Sequence, residues 1–107
     1  MTVANIVLTQ GNLNNNHFYL TSCLSLFPQA SIGGKNETVQ ATLKLTVRPE
    51  SGEDVITDID GTKNIFRKRG WVGKMFKDFD AKVGDAVQIV KISESVFGVR
   101  VVSGGAK

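Results

Sequence analysis

The sequence predicts a mostly β domain: a small, mainly antiparallel barrel with seven short strands and two short helices. Three observations predict this fold class. Short apolar runs alternate with clusters of Gly, Pro, Asn and Asp, which favour turns. One longer segment, residues 38–48, alternates apolar and polar side chains with a period of two. Clear helical spacing begins at Trp71 and is short.

The N-terminal part of the chain predicts two strands and one helix. Residues 3–8 form an apolar run suited to a buried strand, and residues 18–20 form a second, shorter one. Between them, residues 10–17 read QGNLNNNH, a composition that favours a loop. A short helix is expected over residues 21–27, because hydroxyl side chains can cap its start and Pro28 ends it.

The middle of the chain predicts one strand with a solvent-exposed face, followed by a hairpin. The alternation over residues 38–48 ends at Pro49, which cannot donate to a β ladder. Residues 55–59 and 64–67 are the expected arms of the hairpin. The dipeptide Asp60-Gly61 lies between them, and this pair is typical of a tight turn.

The C-terminal part predicts the second helix and the last two strands. Four apolar side chains fall on one face of this helix: Val72, Met75, Phe76 and Phe79. Lys74, Lys77 and Asp78 fall on the other face, so the helix is amphipathic. Two apolar segments then complete the predicted barrel, residues 86–92 and 97–102.

Length and composition bound the class of protein. The chain has 107 residues, so a single domain over residues 1–107 is expected, with residues 103–107 as a flexible tail. One cysteine and one histidine exclude an internal disulfide and a four-ligand Cys/His zinc site, and Cys23 is expected to be a buried structural thiol. No apolar run approaches the roughly 18 residues that a membrane helix needs, and no secretory signal is evident, which predicts a cytoplasmic, nucleoid-associated protein with no membrane partner.

Charge is distributed unevenly along the chain. The formal net charge is only +3, yet the first 34 residues contain no Asp, Glu, Lys or Arg. Residues 63–77 contain six Lys and Arg side chains and no acid. A local positive field of this kind suits a polyanion such as nucleic acid, although a solvated basic face is the simpler alternative.

Two polar segments contain the side-chain types that read base edges. Asn and Gln pair with adenine, Arg and Lys with guanine, and Asp accepts from the amino group of cytosine. Acids in a basic hairpin weaken indiscriminate phosphate binding, so they favour sequence reading. For any single residue, a role in forming a turn explains its presence equally well. The candidates are Gln10, Asn12, Asn14, Asn15, Asn16 and His17 in the first segment, and Asp58, Asp60, Thr62, Lys63, Asn64, Arg67, Lys68 and Arg69 in the second.

A catalytic alternative comes from one motif. Asp58-Ile59-Asp60-Gly61-Thr62 matches the DxDGT loop of phosphatases, in which one carboxylate is the nucleophile and the other an acid/base group. That chemistry resembles a family built on a parallel α/β sheet with further acids far downstream, and the segments after Thr62 predict helix, strand and strand instead. A hairpin turn with Asp-Gly at its tip accounts for the same five residues.

Two non-catalytic alternatives also remain open. A small barrel that binds single strands or RNA needs exposed aromatic side chains beside the hairpin, and Phe18, Tyr19 and Phe66 are placed for that role. A dimeric swapped-hairpin transcriptional regulator would share Gly84-Asp85 followed by a Val/Ile strand.

Four short segments occur in the order and approximate spacing of a known protein family: Ile6-Val7-Leu8-Thr9, Phe27-Pro28, Arg69-Gly70-Trp71 and Val83-Gly84-Asp85. With them, most of the chain resembles the B3-type DNA-binding pseudobarrel. This family includes plant transcription factors and the effector or specificity domains of EcoRII-like restriction endonucleases. Met75 and Ala81 stand where plant members usually have Phe and Leu, and the interval from Trp to Gly-Asp is one residue longer. These departures favour the bacterial branch.

The resemblance implies a seven-stranded open pseudobarrel whose two arms grip the major groove of DNA. Residues 10–17 would form the N-terminal arm and the hairpin the C-terminal arm, with Arg69 on a phosphate. Trp71 and Phe76 would fill the core. The expected partner is double-stranded DNA, bound by a monomeric domain that uses no metal or cofactor and is not itself an enzyme. Any nuclease chemistry would belong to a fused domain.

Overall fold

The computed structural model describes residues 3–34, 40–50 and 52–103. A five-stranded mixed sheet carries the longest strands, in the order β1-β7-β8-β3-β4. Strands β3 and β8 run parallel, and the other neighbours are antiparallel. The five strands are β1 (Val3–Val7), β3 (Leu45–Pro49), β4 (Val55–Thr57), β7 (Ala86–Ser93) and β8 (Val96–Val102).

A second, three-stranded sheet contains only two-residue strands. It consists of β2 (Ile32–Gly33), β5 (Ile59–Asp60) and β6 (Ile65–Phe66), in the order β2-β5-β6. β5 and β6 are the antiparallel arms of the hairpin, whereas β2 lies parallel to β5. The α-helices are α1 (Gln10–Asn15) and α2 (Gly70–Asp78), and 3-10 turns cover Thr21–Leu26 and Gln29–Ser31.

The core lies between the inner face of the large sheet and the segments that hold the small one. Val87 and Ile89 of β7 are buried, while their neighbours Ala86, Gln88 and Val90 on the other face are only partly buried, as alternation along a strand requires. Aromatic side chains pack edge to face in the centre of the core, where Phe66 lies 5.9 Å from Phe18 and 5.8 Å from Phe27 between ring centroids. The buried face of α2 contributes Val72, Met75 and Phe76.

The mainly β fold is confirmed, but its division into strands differs from the prediction. The described residues form eight strands in two mixed sheets, where seven strands were predicted. These sheets do not form a closed barrel. The predicted strands at residues 3–8, 86–92 and 97–102 are present, as is the amphipathic helix after Arg69. Phe76 is buried as expected, while Trp71 is half-buried against Phe18 and Phe66.

Two N-terminal predictions are wrong. Residues 10–17 are not a loop, since α1 occupies most of them. Residues 18–20 are not a strand, because their backbone joins no ladder: the N–H of Leu20 donates instead to the carbonyl of Asn64, at 2.7 Å. Phe18 and Leu20 resemble strand residues in the sequence because they are apolar. In the structure both side chains are buried in the core without belonging to a strand.

The predicted strand over residues 38–48 is also largely wrong. Residues 40–44 have no strand pairing, and β3 begins only at Leu45. Tertiary contacts hold the backbone before it, since the N–H of Ala41 donates to the Asp58 carboxylate at 2.7 Å and that of Leu43 donates to the carbonyl of Ala30 at 3.1 Å. Residues 38 and 39 and the expected tail at 104–107 lie outside the described residues.

Two smaller observations complete the fold. Cys23 is buried, as predicted, and burial raises the pKa of its thiol. Within the described ranges, no helix is long and apolar enough to cross a bilayer.

Candidate nucleic-acid interface

The first polar segment is a short helix held by its own caps. The hydroxyl of Thr9 accepts from the N–H of Asn12 at 3.2 Å, and the Asn12 side-chain oxygen accepts from the N–H of Thr9 at 3.0 Å. This reciprocal pair is a capping box, which satisfies two N–H groups at the start of α1. Asn16 ends the helix in the left-handed region at a φ of 53°.

Because of this cap, Asn12 differs from the other amides of the segment. Its side chain is buried in the capping box, so it builds the helix and does not face solvent. Gln10, Asn14, Asn15 and Asn16 are all exposed. Gln10 donates to the side-chain oxygen of Asn14 at 2.9 Å, which leaves the Asn14 nitrogen without a partner among the described residues. The helix thus presents a row of amide groups to solvent.

The second polar segment is the hairpin, and Asp60 holds its turn. The carboxylate of Asp60 accepts from the N–H groups of Thr62 at 2.9 Å and Lys63 at 3.3 Å. Asn64 takes a left-handed φ of 61°, which asparagine tolerates better than most residues. The Thr62 and Lys63 side chains point outward at the tip, where both are exposed. Asp60 itself is buried.

Gly61 allows the hairpin to lie tightly against β2. Its N–H donates to the carbonyl of Gly33 at 3.0 Å. A Cβ at this position would lie 2.7 Å from that carbonyl oxygen and 2.8 Å from a methyl carbon of Ile32. Glycine is therefore required for the close approach that positions the tip.

Asp58 and Arg67 form a buried ion pair at the base of the hairpin. The Nε of Arg67 lies 2.7 Å from Oδ1 of Asp58, and the two side chains are 10% and 2% exposed. Burial by itself would raise the pKa of Asp58, but hydrogen bonds from Arg67 and from the N–H of Ala41, with the charge of Arg67, lower it overall. Arg67 also donates to the carbonyl of Gly34 at 2.8 Å.

The positions of these two acids correct one step of the sequence argument. The acids in the hairpin were interpreted as base-reading groups, yet the carboxylates of Asp58 and Asp60 both point inward and bind groups of the protein. The outer surface of the hairpin therefore carries the neutral and positive side chains of Thr62, Lys63, Lys68 and Arg69. Any sequence reading at this surface has to come from amides and cations.

The two polar segments meet on one side of the domain. An Nη1 of Arg69, just before α2, lies 3.2 Å from Nδ1 of His17, just after α1. The side chain of Asn64 donates to the hydroxyl of Thr21 at 3.2 Å. Gly73 also brings the segments together, because a Cβ there would lie 2.9 Å from the amide nitrogen of Asn16.

The contact partners Thr21 and Gly73 were not among the predicted site residues. A signal for Gly73 exists in the sequence, because a glycine inside an amphipathic helix costs about 1 kcal/mol relative to alanine and often marks a close approach. No comparable signal identifies Thr21. Lys68 lines a cavity with Lys44 and Thr57.

His17 lies in a positively charged environment at the meeting point. Its partial burial, and then the charges of Arg69 and Lys63, lower the pKa of His17 from its usual value of about 6.5. The ring of Tyr19 packs against it, with centroids 4.9 Å apart. Since both cations act on the same imidazole, Lys63 and Arg69 belong to one electrostatic cluster.

We expect Arg69→Gln to raise the pKa of His17, because one of the charges that lower it is removed. NMR titration measures this directly, since His17 is the one histidine in the chain. A lowered pKa in the folded state means that stability declines as pH falls below about 6.5 towards the folded value, and Arg69→Gln should reduce that decline. Arg100→Gln, on β8, is the matched control, and equal His17 titrations in both variants would contradict the cluster.

The alternative functions gain little from these contacts. Both carboxylates of the DxDGT motif are occupied by Arg67 or by turn N–H groups. Among the described residues, no group of three or more His, Cys, Asp or Glu is placed to hold a metal ion. Of the aromatic side chains proposed to stack on unpaired bases, Phe18 and Phe66 are core residues and Tyr19 is exposed.

Comparison with known proteins finds one informative likeness. No protein-family model matches the chain, and no curated protein matches it. Among solved structures, the N-terminal domain of Helicobacter pylori LlaJI.R1 is similar, with a TM-score of 0.61 and 11% sequence identity. The likeness covers 100% of this chain and 92% of that one. At this identity it shows a shared fold.

Proposed function

We propose that this chain is a B3-like pseudobarrel domain that binds a short, specific double-stranded DNA site through two arms placed in the major groove. The N-terminal arm is α1 with Asn16 and His17, and the C-terminal arm is the hairpin from Asp58 to Arg69. The observation that carries the proposal is the contact between His17 and Arg69, which places both arms on one side of the domain.

The chemistry of the two arms supports binding to a duplex. Each of the exposed amides of Gln10, Asn14 and Asn15 carries the donor and acceptor types that adenine requires in the major groove. Their bonds to Asn14 and to the Gly11 carbonyl use one hydrogen of Gln10 and one of Asn15, and the second hydrogen of each amide remains for a base. Lys63 and Arg69 supply positive charge for phosphates beside them. Asn12, Asp58 and Asp60 are assigned a different role: they hold the arms in shape, since their polar atoms bind groups of the protein.

The structural neighbour supports the wider biological setting. It is a domain of a restriction-modification protein, which fits a target-recognition or effector domain of a restriction endonuclease. In this proposal the domain performs no catalysis and needs no cofactor. A fused nuclease domain would supply the cleavage chemistry, and the isolated domain would bind as a monomer in the bacterial cytoplasm.

The decisive experiment is selection from a randomised duplex pool followed by sequencing. We expect one short motif to be enriched. Asn14→Ala should then cost about 1–3 kcal/mol on the selected duplex and relax the preference at one base pair. Alanine favours helices, so α1 is retained in this variant. Asn5→Ala is the matched control, because Asn5 is an exposed amide on β1 that binds Gln88 at 3.3 Å.

Three outcomes would contradict base reading by the arms. The first is a pool with no enriched motif. The second is an equal loss of affinity for selected and random duplexes in Asn14→Ala, as loss of a phosphate contact would give. The third is displacement of the duplex by a single strand in competition, which would favour the alternative single-strand function, with Tyr19 as the stacking side chain.

A further inference from the structure

A small basic cavity lies beside the hairpin. It encloses about 130 Å³, roughly ten times the space that one water molecule requires. Its walls come from three parts of the fold: the segment before β3, strand β4 with the residue after it, and the end of the hairpin. The lining residues are Gln40, Lys44, Ile56, Thr57, Asp58, Arg67 and Lys68.

Positive charge dominates this cavity. Among the lining residues that the structure describes, Asp58 is the one acid, and it forms an ion pair with Arg67. Two lysines remain. The ammonium group of Lys44 donates to the neutral amide of Gln40, and that of Lys68 has no partner within the described part of the chain. The described lining residues therefore carry two positive charges in excess.

The fold holds these two lysines at the same opening. The backbone N–H of Lys68 donates to the Thr57 hydroxyl at 3.0 Å, which ties the residue to β4. Lys44 is close enough to Asp58 to contribute to the low pKa of that carboxyl. The floor between them is rigid, because the hydroxyl of Thr57 donates to the carbonyl of Asp58 at 3.1 Å and the carboxylate is fixed by Arg67 and Ala41.

We propose that this cavity is a phosphate-binding site formed by Lys44 and Lys68, which a backbone phosphate of DNA occupies when the duplex lies across the arms. A cation is disfavoured by the excess positive charge. A phosphate oxygen accepts from several donors at once, and flexible ammonium groups bind it well as point charges. The part concerning DNA rests on the function proposed above, and it extends the contact surface beyond the arms to Lys44.

The test uses the double variant Lys44→Gln/Lys68→Gln and two probes. The first probe is inorganic phosphate, followed by amide shifts in NMR spectra. We expect shifts at Thr57, Asp58 and Lys68 in the wild type and none of them in the double variant. The second probe is the selected duplex, for which the slope of log K against log salt should fall in magnitude by about 0.9, because one phosphate contact is lost. Glutamine keeps most of each side chain, so the ion pair below is undisturbed.

Arg48→Gln/Arg100→Gln is the control, since it removes the same charge from the exposed face of the large sheet. An unchanged salt slope in the cavity variant, with normal duplex binding by the wild type, would overturn the phosphate site and leave the proposed function standing. A different outcome is that phosphate shifts the cavity amides of the wild type while the wild type binds no duplex. That result would support the site and contradict the proposed function.

Discussion

Replacing Asp58 with alanine is expected to lower the free energy of unfolding by about 3–5 kcal/mol. The reason is that the change removes one member of a buried ion pair. Arg67, whose side chain is only 10% exposed, would lose the carboxylate that lies 2.7 Å from its Nε. The N–H of Ala41 would lose its acceptor as well, which adds a desolvation cost. Urea denaturation followed by the fluorescence of Trp71, the one tryptophan, measures the change.

The control for this prediction is the exposed ion pair between Arg48 and Asp54. Their side chains are 53% and 51% exposed, so Asp54→Ala should cost less than about 1 kcal/mol. If Asp58→Ala costs no more than Asp54→Ala, the buried pair does not organise the base of the hairpin.

The same ion pair has a pH signature. The pKa of Asp58 is lower in the folded protein than in the unfolded chain, so the carboxylate stabilises the fold above the unfolded value of about 3.9. This contribution is lost as pH falls from about 3.9 through the lower folded value. Asp58→Asn should therefore be less stable than the wild type at neutral pH, and the difference should narrow in strong acid.

Periodicity predicted the elements whose structure depends on burial alone. In β7, β8 and α2 the apolar positions follow the spacing of a strand or a helix, and the structure keeps those boundaries to within a residue or two. The hairpin was predictable for a similarly local reason, since Asp60-Gly61 favours the turn that joins β5 and β6.

The failures occurred where longer-range or capping contacts outweigh local propensity. Residues 40–44 alternate like a strand, but Ala41 is bound by a carboxylate 17 positions away. The Asn-rich segment before His17 favours turns by composition, yet the capping box of Thr9 and Asn12 is enough to start α1. Neither outcome can be derived from propensity, because both depend on which partner a single polar group finds.

The candidate site was predictable as a set of segments and not atom by atom. The sequence singled out both polar segments, and the contact of His17 with Arg69 brings them together. It could not separate inward from outward side chains, so Asp58 and Asp60 were grouped with Lys63 although their carboxylates point inward. A hairpin with two-residue strands has no periodicity from which burial can be deduced.

Removing two positive charges from the arm surface is the second change with a large expected effect. Lys63→Gln/Arg69→Gln should weaken binding to the selected duplex about a hundredfold at 0.1 M salt, because each lost phosphate contact removes a slope of about 0.9 in log K against log salt. The loss should shrink as salt rises. Random duplexes should weaken by the same factor, since phosphate contacts carry no sequence information.

This result would separate phosphate binding from base reading at the proposed arms. Affinity measured at several salt concentrations should give a slope smaller in magnitude by about 2 for the double variant. The control pair Arg48→Gln/Arg100→Gln should leave the slope unchanged, because those side chains lie on the outer face of the large sheet. If instead the double variant loses affinity for the selected duplex alone, Lys63 and Arg69 read bases, and the assignment of Arg69 to a phosphate is wrong. Equal slopes in both double variants would remove the basic cluster around His17 from the DNA-binding surface altogether.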